Sequence, residues 1–119
     1  MHFSTVTRLF TDADGETHFE DIQVPLRDAG DIGEISDTVE ATGLQFRRTD
    51  GDYDFQWHNA PSRRYLVTLD GEVDITVSDG TTRRFGTGDV VLLEDTTGKG
   101  HLSRAVAGRP RRSIFVLLD

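Results

Sequence analysis

The sequence contains no cysteine. That excludes disulfides, thiolate-bound zinc, iron–sulfur clusters and a cysteine nucleophile. Lysine is nearly missing as well, since Lys99 stands alone against 12 arginines. Aromatic residues make up 8% of the chain and Trp57 is the single tryptophan. No apolar run approaches the roughly 20 residues that cross a bilayer as a helix. The opening Met1-His2-Phe3-Ser4 has neither the basic nor the apolar region of a secretory signal. The expected location is therefore cytoplasmic, with no membrane partner. An excess of positive charge is absent too. Thirteen basic residues face 21 acidic ones, and the net charge of −8 repels nucleic acid. No nucleic-acid partner is expected.

What is present is a chain of 119 residues, the size of a single domain with one core. Its apolar residues come in short alternating runs. Ser4 to Phe10 reads as a strand, closed by the turn Asp12-Ala13-Asp14-Gly15. Thr17 to Val24 alternates next and ends at Pro25. Arg27 to Asp37 reads as an acidic surface loop, and Leu44 and Phe46 mark a short strand before Thr49-Asp50-Gly51-Asp52.

The stretch from Trp57 to His101 organises the rest. It holds a strand Arg64 to Leu69, a turn at Asp70-Gly71 and a strand Glu72 to Val77. There Val73, Ile75 and Val77 alternate with polar residues, the pattern of a half-buried antiparallel strand. A short strand to Phe85, the turn Gly86-Thr87-Gly88-Asp89, the run Val90-Val91-Leu92-Leu93 and the loop Glu94 to Gly100 follow. His101 to Val106 alternates again. Gly108 to Arg112 reads as a solvated basic turn, and Ser113 to Leu118 as an apolar closing strand. Many short strands broken by Gly and Asp, without helical periodicity, predict an all-β sandwich or barrel.

Leu69-Asp70-Gly71-Glu72-Val73 and Gly86-Thr87-Gly88-Asp89 resemble the core of the cupins, small jelly-roll barrels. The resemblance spans about residues 51–106 and is closest to small single-domain bacterial cupins of largely uncharacterised function. It implies a cupin-type jelly-roll β-barrel with little or no helix, and a homodimer.

The first cupin motif is G-(x)5-H-x-H-(x)3,4-E-(x)6-G. Anchored on Gly51 and Gly71, it places Trp57 and Asn59 at the two histidines and Arg64 at the glutamate. A shift of one residue brings His58 to the first histidine and Ala60 to the second. The second motif is G-(x)5-P-x-G-(x)2-H-(x)3-N. Here Gly98-Lys99-Gly100-His101 fits, with a connection two residues longer, Thr96 at the proline and Ala105 at the asparagine.

Cupin metals are held by imidazoles and a carboxylate, which suit iron, manganese, nickel or zinc. Arginine cannot ligate. At about 5 Å and an effective dielectric near 20, its charge opposes a dication by roughly 6 to 7 kcal/mol. An inward Arg64 therefore conflicts with the ordinary metal site and requires an anion, either a ligand carboxylate or phosphate or a protein acid such as Glu20 or Asp95.

The expected ligand is a small, anionic organic molecule in the barrel. His58 and His101 are the candidate acid and base of a cofactor-independent isomerase, lyase or cyclase. Arg64 and Asp95 are candidate ligand contacts, and Phe55, Trp57 and Tyr65 candidate walls. One alternative is a divalent transition metal on His58 and His101, giving an oxygenase or lyase with rebuilt ligands. Another is a ligand-binding or sensor module without chemistry. His18 and Glu20, two apart on one strand face, read either as a metal pair or as a polar face.

Overall fold

The computed structural model describes residues 2–119. Twelve strands run in chain order: β1 Phe3–Thr11, β2 Thr17–Pro25, β3 Arg27–Asp28, β4 Glu34–Ile35, β5 Gly43–Thr49 and β6 Asp54–His58. Then come β7 Arg64–Asp70, β8 Val73–Val77, β9 Thr82–Phe85, β10 Val90–Leu93, β11 His101–Ala105 and β12 Arg111–Leu117. Among the described residues no helix is long and apolar enough to cross a membrane.

Six strands form one sheet in the order β2-β1-β10-β7-β12-β5, and four form a second in the order β6-β11-β8-β9. Neighbours are antiparallel except β1 and β10, which run parallel. The two sheets enclose a core of Leu9, Ala60, Leu66, Val73, Ile75, Val77, Phe85, Val91 and Leu93. The expected alternation in β8 is what positions it, since Val73, Ile75 and Val77 are all buried. Burying each such side chain contributes about 1.5 to 3 kcal/mol. This is the cupin-type jelly roll that the sequence motifs implied.

Two boundaries differ from the sequence reading. The acidic segment after Pro25 is not wholly loop, because β3 and β4 pair across a single 3-10 turn at Gly30–Ile32. The basic turn stops at Pro110, and Arg111 already opens β12. Its partner residue Thr49 on β5 holds Arg111 in the ladder, so this arginine turns into the barrel. In the six-stranded sheet β12 lies between β7 and β5, and β2 and β5 are the edges.

Candidate functional site

A cavity of about 280 Å³ opens between the sheets. Its inner end is closed by Ala60, Leu66, Ile75 and Leu93, which also belong to the core. Its functional side chains are His58, His101, Arg47, Arg64 and Arg111, with Tyr53, Phe55, Phe115 and Ser103 between them.

His58 reaches the cavity through an irregularity in the sheet. His101 pairs with His58, and Ser103 pairs with Phe55, so Gln56 and Trp57 together oppose Leu102 alone. Such a bulge shifts the alternation of the strand by one residue. Phe55 and His58 therefore share the inner face and stack, with ring centroids 3.7 Å apart. Trp57 is turned outward and is 50% exposed. Strict alternation would have put Trp57 on the face of Phe55, but the bulge turns this candidate wall residue away from the cavity.

The second residue placed elsewhere is Tyr65. It follows Arg64 directly on β7, and neighbours on a strand point to opposite faces. Arg64 and Leu66 take the cavity side, and Tyr65 lies on the outer face beside Val6, Val24 and Val90.

His101 opens β11 after the loop from Glu94 to Gly100. That loop is tied down along its length. The Asn59 side-chain amide donates to the carbonyls of Asp95 and Gly98, both at 3.2 Å. Thr11 Oγ1 donates to the Thr97 carbonyl at 2.8 Å, and Lys99 N–H donates to the Gly15 carbonyl at 2.9 Å. Gly100 passes so close to the next strand that a Cβ there would lie 2.2 Å from the His58 carbonyl oxygen. Only glycine allows that approach. Glu94 is held outside the cavity by Arg8 and Arg63. Burial alone would raise its pKa, but the two guanidiniums outweigh that and lower it.

Asp95 sits behind His101 rather than in the cavity wall. It is 0% exposed, and its Oδ2 accepts from His101 Nδ1 at 2.5 Å, while His101 itself is 3% exposed. This bond fixes the imidazole's orientation and tautomer and leaves Nε2 as the free nitrogen. His58 Nδ1 donates to the Gln56 carbonyl at 2.6 Å, again leaving Nε2 free. The two imidazole centroids are 4.3 Å apart. Burial above all, with the charge of Arg47 adding to it, pushes the His58 pKa down. His58 is therefore a neutral imidazole at physiological pH.

The arginines distinguish this cavity. Arg8, Arg27, Arg48, Arg63, Arg83, Arg84 and Arg104, on the protein's exterior, each have a carboxylate partner. Arg47, Arg64 and Arg111 have none among the described residues. Glu20 is taken by Arg8 and Asp95 by His101, so neither acid considered for Arg64 reaches it. Arg64 instead donates from Nε to the Ser62 carbonyl at 3.1 Å and from Nη2 to Ser62 Oγ at 3.0 Å. Arg64 and Arg47 flank the Phe115 ring, at 5.0 and 5.1 Å. Arg47 and Arg111 flank Tyr53, at 5.2 and 5.6 Å.

Arg111 is 3% exposed, and its Nη1 has no protein acceptor. Burial first, and then the charge of Arg47, push its pKa down to about 10. Sequence reasoning missed Arg47 and Arg111. The available signal was register, since Arg47, Ser113 and Arg111 all fall on inner positions of the β5–β12 pair.

A cupin-type fold implies a metal, and the donor set can be tested against one. Only His58 and His101 converge, and Asp95 is already used by His101 Nδ1. No group of three His, Cys, Asp or Glu side chains that could hold a metal occurs among the described residues. Three guanidinium charges share the cavity. These residues do not fit a dication. His18 and Glu20 form no metal pair either. Both ring nitrogens of His18 are bound, to Asp12 at 2.7 Å and Asp79 at 2.8 Å, and Glu20 faces Arg8.

Neither a family model nor a curated relative matches this chain. Solved structures do. A conserved protein of unknown function from Streptococcus pyogenes is 20% identical, covering 69% of this chain and 68% of that chain at a TM-score of 0.52. A Neisseria meningitidis protein is 18% identical over 68% of this chain and 79% of that chain, at a TM-score of 0.51. A Salmonella typhimurium protein put forward as ethanolamine utilization protein Q is 14% identical over 98% of this chain and 96% of that chain, at 0.50. At these identities the likeness is one of fold. The double-sheet barrel with an internal cavity makes this chain a small cupin-fold protein.

Proposed function

We propose that the cavity binds a small anionic organic molecule and moves a proton on it without a redox cofactor, as an isomerase, lyase or cyclase does. The observation that carries this reading is that three arginines without carboxylate partners line one cavity, whereas the other arginines without one, Arg109 and Arg112, are exposed to water, and Arg111 is buried with an Nη1 that has no protein acceptor. Arg47 and Arg64 are half-buried, but Arg111 is buried, and an unpaired interior charge costs several kcal/mol. A bound carboxylate or phosphate offsets that cost and accepts the free guanidinium donors.

His101 Nε2 is the base. It takes a proton from the ligand, and Asp95 stabilises the imidazolium that forms. The same proton then returns to a second ligand atom, or passes to it through the neutral His58. The arginines stabilise the negative charge that develops on the ligand meanwhile. Phe55 and Tyr53 form the stacking wall.

The test is proton exchange in deuterated water. A panel of small organic acids is incubated with the protein and followed by proton NMR. The expected result is loss of one ligand C–H signal with the native protein and not with His101→Gln. Ligand-induced stabilisation with no exchange for any panel member would favour the binding or sensor module instead.

We also propose the homodimer implied by the resemblance, with β5 at the contact. This edge strand has one side unpaired and carries Leu44 and Phe46 outward, Phe46 being 79% exposed. A second copy supplies a matching edge. Light scattering should give twice the chain mass, falling to one in Phe46→Glu; a native monomer sinks the idea.

A further inference from the structure

The anion reading can be taken further. Arg64 pairs with Leu117 at the end of β12, and Arg111 lies six residues earlier on the same strand. At about 3.3 Å per residue their backbones are roughly 20 Å apart. Both side chains nevertheless turn into the same cavity. They enter from opposite ends, Arg64 through Phe115 and Arg111 through Tyr53, with Arg47 between the two rings. The cavity thus has two cationic poles rather than one.

Charge balance agrees. No carboxylate lines the cavity, and Asp95 behind His101 is committed to that histidine. Three guanidiniums against one carboxylate leave an excess of two positive charges before either imidazole takes a proton. A monoanion seated on Arg64 leaves Arg111 as it is in the ligand-free protein, buried and with Nη1 lacking an acceptor. Buried donors of this kind are satisfied in a complete site.

We infer that the ligand is a small organic dianion, with one anionic group on Arg64 and the other on Arg111 and Arg47. This rests on the anion-binding reading above and names its substrate class. Dicarboxylates and phosphorylated acids share the chemistry. The planar faces of Phe115 and Tyr53 carry the guanidiniums, so the ligand meets their edges, where bidentate hydrogen bonds form.

The test is calorimetric titration of the intact protein at low ionic strength. Succinate, glutarate and adipate are each compared with their monoamides, and phosphoglycolate supplies the phosphate arm. At least one dianion should bind about tenfold or more tighter than its monoanionic counterpart, a difference of about 1.4 kcal/mol. Arg111→Gln and Arg64→Gln should each bring a dicarboxylate down to the affinity of its monoamide. If one of them fails to fold, the other carries the comparison. Tighter binding of phosphoglycolate than of any dicarboxylate supports the dianion and assigns one pole to phosphate. Equal binding of dicarboxylate and monoamide, lost in Arg64→Gln, overturns the dianion and leaves the anion reading standing. No binding by any probe overturns both.

Discussion

Phe55 and His58 stand three residues apart on one strand, yet their rings stack at 3.7 Å. The bulge opposite Leu102 makes this possible. The stack shields His58 from water, and burial is the largest cause of its lowered pKa. Phe55→Ala should therefore raise the His58 pKa toward the ordinary histidine value, read from its ring-proton shifts against pH. The stability loss should be small, about 1 kcal/mol. An unchanged His58 titration would separate the stack from the shift.

Asp95 and His101 form the buried pair on which the proposed chemistry turns. Asp95→Asn keeps the volume and removes the charge. It should cost about 1 to 3 kcal/mol of stability. Ligand proton exchange should fall about a hundredfold or more, with ligand affinity nearly kept. Nitrogen chemical shifts of His101 should show that Nδ1 no longer holds the proton alone. Full exchange activity in this variant would remove Asp95 from the mechanism.

Arg111 makes a prediction of the opposite sign. Its burial without an acid partner is a cost in the ligand-free protein. Arg111→Met replaces the charge with an apolar chain of similar reach. It should stabilise the ligand-free protein by about 1 to 3 kcal/mol while weakening ligand binding. A fall in melting temperature would show that Arg111 serves packing rather than the ligand.

His18 joins two hairpins through its two carboxylate partners, Asp12 and Asp79. Its pKa is raised by the bond to Asp12 first and then by that to Asp79. The Asp12 carboxyl is lowered, chiefly by His18. A raised histidine pKa adds stability that is complete below the unfolded value of about 6.5 and is lost as pH climbs through the folded one. The lowered Asp12 pKa adds stability above its unfolded value, lost as pH falls through the folded one. The melting temperature of the native protein minus that of His18→Gln should thus be largest in weakly acidic solution and shrink toward alkaline pH. A flat difference from acid to alkaline pH would sink the assignment.

The sequence reading and the structure agree most closely where alternation is strict. In β8 the sequence pattern and the burial pattern are the same. They part where pairing in space alters the count. Trp57 was a candidate wall residue, and alternation would put it on the face of Phe55, but the bulge against β11 moves His58 there instead. Tyr65 could not share a wall with Arg64, its neighbour on β7. Arg111 looked like part of a solvated turn because Gly108 and Pro110 precede it, but its ladder with Thr49 starts one residue after the proline.

The residues alone determined the all-β class, the jelly-roll motif positions and an arginine where a carboxylate ligand belongs. The all-β class follows from short-range rules of alternation and turn chemistry, while the motif positions and the displaced ligand are what the resemblance to the cupins implies. Tertiary structure decided what surrounds that arginine. Whether Arg64 meets an acid depends on where Glu20 and Asp95 are spent, and they are spent on Arg8 and His101. Whether it stands alone depends on strands β5 and β12, which bring Arg47 and Arg111 to the same cavity. A guanidinium's partners lie across the sheets, at separations in sequence that no local pattern encodes.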